Sequence, residues 1–135
     1  MTAYVDPSRD NWQAFKDLPR GTPIHMLNLI KFHALAQYPA GHADYGTGVT
    51  GRAAYGKYAA GFQALAAKLG AQMVWQGALE CVVTGPSGEW DEAFVMGYPD
   101  ANAFLAMVMD DSYKDKVIAH RTAAVADSRL IRFSP

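Results

Sequence analysis

The chain lacks nearly every feature that announces a function. It has a single cysteine, Cys81, so no disulfide can close within it. That fits a reducing, cytoplasmic setting. No uninterrupted apolar run approaches the roughly 20 residues that cross a bilayer. The opening segment, Met1 to Pro7, has neither the charged nor the apolar region of a signal peptide, which again predicts a cytoplasmic protein. No excess of one charge is present: 12 Lys and Arg stand against 13 Asp and Glu, for a formal charge of −1. The basic residues are scattered singly, so no footprint for nucleic acid or a membrane surface is expected. No phosphate-binding glycine loop, dinucleotide fingerprint or Gly-x-Ser-x-Gly elbow occurs. His33, His42 and Asp44 share one stretch, but at no recognisable zinc-ligand spacing. Neither a metal nor a cofactor is therefore expected. Cys81 lies in the apolar run Leu79 to Val83, which predicts a buried, inert thiol.

What is present suits one folded domain. Half of the 135 residues are apolar and 19% are charged, enough for a core. Trp12, Phe15 and Leu18 recur at helical spacing and predict a first helix from Arg9 to Leu18, capped by Ser8 or Asp6. Pro19, Gly21 and Pro23 end it. Ile24 to Phe32 reads as a strand with apolar residues on both faces, hence a central one. Residues 33–49, with three glycines and a proline, form a long loop, either a lid or a disordered insertion. A helix capped by Thr50 follows, with Tyr55, Tyr58, Phe62, Leu65 and Leu69 on one face and Gly70 as its stop.

Gln72 to Thr84 reads as a second strand, with Met73 and Trp75 on one face and a bulge at Gly77. The mixture of Gln76 and Glu80 with apolar residues marks an edge. Gly85 to Gly88 make a turn. A third strand, Glu92 to Tyr98, is apolar on both faces. Asp100 caps a helix that Asp110, Asp111 and Ser112 break and recap. Arg129 to Phe133 forms a last, mixed strand.

An opening helix followed by β-α-β-β-α-β is the split βαβ, ferredoxin-like pattern of an α+β fold with a four-stranded antiparallel sheet. Right-handed crossovers put the first and third strands in its middle, where the burial pattern independently puts them. A single domain over residues 1–135 is expected, with 1–21 as an N-terminal helical extension. Two helices cover only one sheet face, and the other would leave a large apolar patch in water. A second copy, packed sheet to sheet, is the expected cover.

Several segments taken together resemble one bacterial family: Met26-Leu-Asn-Leu-Ile-Lys-Phe32, the helix face from Tyr55 to Phe62, Val74-Trp-Gln-Gly77, Glu89-Trp-Asp91, Tyr98-Pro99, Ala103-Phe-Leu-Ala-Met107 and His120-Arg121. It is domain of unknown function 1330, within the dimeric α/β-barrel superfamily. The resemblance spans residues 22 to 134; the leading helix and the long loop depart from shorter members. It implies a ferredoxin-like fold and a sheet-to-sheet homodimer, and no established reaction. Superfamily relatives include monooxygenases, haem-using enzymes and isomerases, so analogy selects no chemistry.

In such a fold a pocket lies between helices and sheet. Asn28 interrupts an apolar strand face, either as a ligand contact or as a structural amide. Lys31, on the opposite face by alternation, is a candidate base or anion contact, with an exposed strand-end lysine the plainer reading. His120 suits proton transfer and Arg121 a carboxylate. Adjacent helical residues diverge by about 100°, so the two need not share a pocket. Both also suit the negative end of a helix. Tyr55, Tyr58 and Trp75 offer pocket walls, with core packing as their ordinary role.

Three functional readings stand. The first is a dimeric small-molecule binder or cofactor-independent enzyme, taking a small apolar or aromatic ligand with or without a carboxylate. The second is a non-catalytic dimeric interaction module. The third is a monooxygenase-like or haem-dependent enzyme, of which the haem-dependent form needs a histidine at an apolar cleft, with His120 the candidate. Nothing in the sequence decides whether the protein is an enzyme.

Overall fold

The computed structural model describes residues 2–135. Helix α1 (Arg9–Asp17) begins at Ser8, whose hydroxyl accepts the Asn11 N–H at 3.1 Å. Strand β1 (Ile24–Phe32) follows, then helix α2 (Gly51–Lys68), strands β2 (Gln72–Ala78) and β3 (Glu92–Tyr98), and helix α3 (Ala101–Val108). A π-helical turn (Tyr113–Val117) runs into helix α4 (Ile118–Ala124), which passes directly into strand β4 (Val125–Phe133). Among these described residues no helix is long and apolar enough to cross a membrane.

The sheet order is β2-β3-β1-β4, antiparallel throughout, with the two doubly apolar strands at its centre. This is the ferredoxin-like arrangement expected from the element order, with the N-terminal helix added.

The helix stops and starts follow local chemistry. Thr50 caps α2 by accepting the Ala53 N–H. At its far end Gly70 adopts φ +77°, while Ala71 and Gly70 donate to the carbonyls of Ala66 and Ala67. That pairing of two orphan carbonyls is the Schellman motif, and only glycine takes its left-handed position without strain. Gly51 meets a different need: a β-carbon there would collide with the backbone carbonyl of His33, so glycine lets α2 start hard against the end of β1. Asp100 caps α3, and Asp110 accepts the Tyr113 N–H as the chain restarts after the break.

One core joins the sheet to the helices. Ile24, Met26 and Ile30 of β1 and Phe94, Met96 and Tyr98 of β3 meet Ala54, Tyr55, Tyr58, Phe62 and Ala66 of α2, with Phe104, Met107, Tyr113 and Val117. Trp12 and Phe15 of α1 pack on the same core, Phe15 against Phe104 with ring centroids 5.3 Å apart.

Five sequence expectations need correction. β2 ends at Ala78, not Thr84, because its only neighbour, β3, begins at Glu92, the partner of Ala78. Cys81 therefore lies in the β2–β3 connection and is exposed, not buried. The bulge falls between Met73 and Trp75, not at Gly77. β4 begins four residues early, since Val125 to Ser128 still find partners in Phe32 to Ile30. The loop 33–49 is packed down instead of standing as a lid: Tyr38 is buried, and the N–H groups of His33 and Gln37 donate to Ala124 and Ala123. Those carbonyls sit at the end of α4, where no helical partner exists for them, so the loop completes the helix.

Candidate functional site

Strand alternation settles which face each β residue occupies. Ile24, Met26 and Ile30 are buried under the helices, so Asn28 shares that face, opposite Phe94 and Leu130. Its amide donates to the carbonyl of Met26 at 3.2 Å. The other face carries His25, Leu27, Leu29 and Lys31, with Val95 and Ala93 beside them on β3 and Ile131 and Phe133 on β4.

The bulge in β2 adds to this outer face. Met73 pairs with the buried Met96, while Trp75 pairs with Val95, and Val74 touches the space over Gly97. Val74 and Trp75 thus both turn outward, and each is 53% exposed. Trp75 consequently stands on the opposite side of the sheet from Tyr55 and Tyr58.

Those two tyrosines line a small cleft between α2, β2 and β3. Tyr55, Tyr58, Phe62, Gln63, Met73, Gln76 and Phe94 enclose about 30 Å³, roughly the volume of one water. The Tyr58 and Tyr113 hydroxyls are 3.1 Å apart. Burial pushes both phenols up, Tyr58 the further, and it pushes up Tyr55 likewise. They are neutral hydrogen-bonding groups at physiological pH.

His120 and Arg121 point apart, as their spacing requires. The Arg121 guanidinium donates to the Val5 carbonyl at 2.7 Å and to the Ser128 hydroxyl at 3.3 Å. Ser128, a buried polar residue, in turn donates to the Tyr4 carbonyl at 2.7 Å. Arg121 therefore fastens the N-terminal segment to β4. Lys31 is also accounted for by local structure. Its ammonium lies 3.4 Å from Asp91, whose other oxygen accepts the Phe32 N–H, in an open groove of about 400 Å³ with Ser87, Glu89 and Asp127.

His120 enters a polar cluster that joins the loop 33–49 to α4 and α2. Its Nδ1 is 2.6 Å from the Tyr38 hydroxyl. The His42 ring stacks on Tyr38 at 4.4 Å and meets His120 edge-on at 5.6 Å. Asp44 follows: its N–H donates to His42 Nδ1 at 3.0 Å and its carboxylate pairs with Lys57 of α2 at 3.0 Å. Burial holds His120 below the ordinary histidine value, helped by His42 and opposed by Asp44. The hydrogen bond from Lys57 keeps Asp44 low despite some desolvation. His42, Asp44 and His120 each offer a ligand atom within 4.8 Å of the others, the one such group of His, Cys, Asp and Glu among the described residues.

The seven candidate residues therefore do not converge on one pocket. Tyr55 and Tyr58 share the cleft, Asn28 lies on the same side of the sheet, Trp75 and Lys31 face outward, Arg121 serves the N-terminus and His120 joins the loop. Tyr38 and Lys57 were not singled out by sequence, and His42 and Asp44 carried no zinc spacing alone. The missing signal was a contact across some 80 residues.

The family model described as Domain of unknown function (DUF1330) matches residues 45–133. The Rhodopseudomonas palustris protein RPA0582, described as of unknown function, is 38% identical over 99% of this chain and 98% of its own, with a TM-score of 0.88. A dimeric protein of unknown function with a ferredoxin-like fold from Bacteroides fragilis is 8% identical over 87% of this chain and all of its own, with a TM-score of 0.51. SnoaB, a cofactor-independent oxygenase from Streptomyces nogalater, is 13% identical, covers 84% of this chain and 93% of its own, and has the same TM-score, 0.51. The last two likenesses concern the fold alone. Among curated proteins none matches the sequence. With two thirds of its length matched by the family model and a relative at this identity along the whole chain, the protein belongs to the DUF1330 family.

Proposed function

We propose that this chain works as a homodimer joined through the open face of its sheet, with a small-molecule site on the helix side of each protomer. The observation that carries the dimer is the outer face itself. Leu27, Leu29, Val74, Trp75, Val95, Ile131 and Phe133 form a contiguous apolar surface with no helix over it. A patch of this kind in water is a contact surface, and a self-complementary twofold contact is the commonest way to cover one. The Bacteroides fragilis protein of like fold is described as dimeric, which is in keeping with a dimer here.

The ligand site in this reading is the cleft beside Tyr55 and Tyr58. Gln63 and Gln76 supply polar groups at its rim, and Met73 on the edge strand is the movable wall, being 41% exposed. A small apolar or aromatic molecule enters only if Met73 swings aside, since the closed cleft has room for about one water; Arg121 is engaged elsewhere, so a carboxylate would need the glutamine amides. A second reading, a dimeric interaction module without a ligand, is favoured by the smallness of the cleft, about 30 Å³.

Sedimentation velocity and light scattering test the dimer. Wild type should run at twice the chain mass at micromolar concentration, and Leu27→Glu and Trp75→Glu as monomers with unchanged circular dichroism. A monomeric wild type would overturn the proposal. A thermal-shift panel of aromatic ligands then separates the two readings. A stabilising compound whose effect is lost in Gln76→Ala supports the cleft, and a panel without a binder leaves the interaction module.

A further inference from the structure

We propose that His42, Asp44 and His120 form a binding site for one divalent first-row transition ion, of which zinc is the fitting example. The site is separate from the cleft under α2 and from the open sheet face.

The donor set is the first argument. Two borderline imidazoles with one hard carboxylate suit zinc, iron or cobalt and leave room for a water. The three ligand atoms lie within 4.8 Å of one another. In a tetrahedral zinc centre with bonds of about 2.0–2.1 Å, ligand atoms stand about 3.4 Å apart. A contraction of up to about 1.4 Å would therefore close the set around an ion. His42 and Asp44 ride on the loop 33–49 and His120 on α4, so the contraction is a small settling of the loop onto a helix it already touches.

The surroundings are the second argument. A metal-bound imidazole ordinarily gives its other ring nitrogen to a hydrogen-bond partner that fixes the ring. His120 has such a partner: its Nδ1 is 2.6 Å from the hydroxyl of the buried Tyr38, and Nε2 is the nitrogen assigned to the ion in this proposal. Tyr38 also stacks on the His42 ring, so one tyrosine orients both histidines. In the metal-bound form the His120 Nδ1–H donates and the phenol oxygen accepts. His42 Nδ1 is 4.0 Å from Asp44 Oδ2, and its present bond from the Asp44 N–H is the one contact that coordination at Nδ1 would replace.

Lys57 is the competitor. Its ammonium occupies Asp44 Oδ2 at 3.0 Å, the position of a cation beside that carboxylate. The lysine side chain is 45% exposed and can turn into solvent when an ion arrives. The arrangement thus predicts two opposite effects from neighbouring substitutions, which an incidental cluster of polar groups would not produce.

Titration of tag-free, chelator-treated protein with cobalt and zinc chlorides tests this. Cobalt should give a visible d–d absorption that saturates at one ion per chain, and zinc should displace it and raise Tm. His42→Ala and His120→Ala should each weaken binding at least tenfold. Lys57→Ala should bind several-fold more tightly than wild type, and it touches only an exposed side chain. His33→Ala, in the same loop but outside the set, should bind as wild type does. Wild type with no saturable cobalt spectrum would overturn the proposal. So would equal affinity in the folded His42→Ala and His120→Ala proteins, or weaker binding in Lys57→Ala.

Discussion

The hydroxyl of Tyr38 lies 2.6 Å from Nδ1 of His120, linking residues 82 positions apart in the chain. Tyr38 is buried although it belongs to a loop without regular structure, and this bond is its polar anchor. Tyr38→Phe keeps the ring and removes the anchor. It should lower unfolding free energy by about 1 kcal/mol, read from urea denaturation. Tyr38→Ala should cost about 3–5 kcal/mol through the lost ring.

Arg121→Ala should release the N-terminal segment. The change removes a 2.7 Å bond to the Val5 carbonyl and a second to Ser128. Hydrogen bonds from a charged donor contribute about 1.5–3 kcal/mol. Limited proteolysis should show faster cleavage before α1, with the sheet core intact. Arg121→Lys should restore only part of the protection, because a lysine cannot span both acceptors with a planar fork.

Alkaline pH should unfold the protein in a defined direction. Burial raises the pKa of Tyr55, Tyr58, Tyr98 and Tyr113 above the ordinary 10.0. An unfolded chain loses these protons near pH 10, whereas the folded one retains them. Stability is therefore undiminished below that pH and falls as pH rises beyond it. Absorbance at 295 nm should show these phenols ionising together with unfolding, and not before it.

Cys81 should react in the native state. Because it is exposed in the β2–β3 connection, a thiol reagent should consume one equivalent without denaturant, at a rate that urea changes little. A thiol that reacts only after unfolding would contradict its position.

The fold was legible because two independent signals agreed. The double apolar faces of Ile24 to Phe32 and Glu92 to Tyr98 marked central strands, and the element order demanded the same two. Caps at Ser8, Thr50 and Asp100 and the stop at Gly70 were readable from local chemistry alone. The end of β2 was not, since a strand ends where its neighbour ends, and β3 begins at Glu92. Nor was the exposure of Cys81, which follows from that ending. For the site, alternation could not show that β2 inserts an extra residue, which is what separates Trp75 from the cleft tyrosines. The divergence of His120 and Arg121 was predictable from helical spacing; the partners each would find were not. Tyr38, His42 and Asp44 meet His120 only because the loop closes the last carbonyls of α4, a contact with no local trace.

The bulge between Met73 and Trp75 has one more effect. β2 is an edge strand, and a regular edge offers a ladder of unpaired backbone groups to any passing chain. An extra residue breaks that ladder's spacing and sharpens its twist. At the opposite edge, Tyr4 and Val5 are tied beside β4 through Asp127, Ser128 and Arg121. Growth by adding strands is thus discouraged on both flanks, which guards a protein with so apolar a sheet against fibrous association.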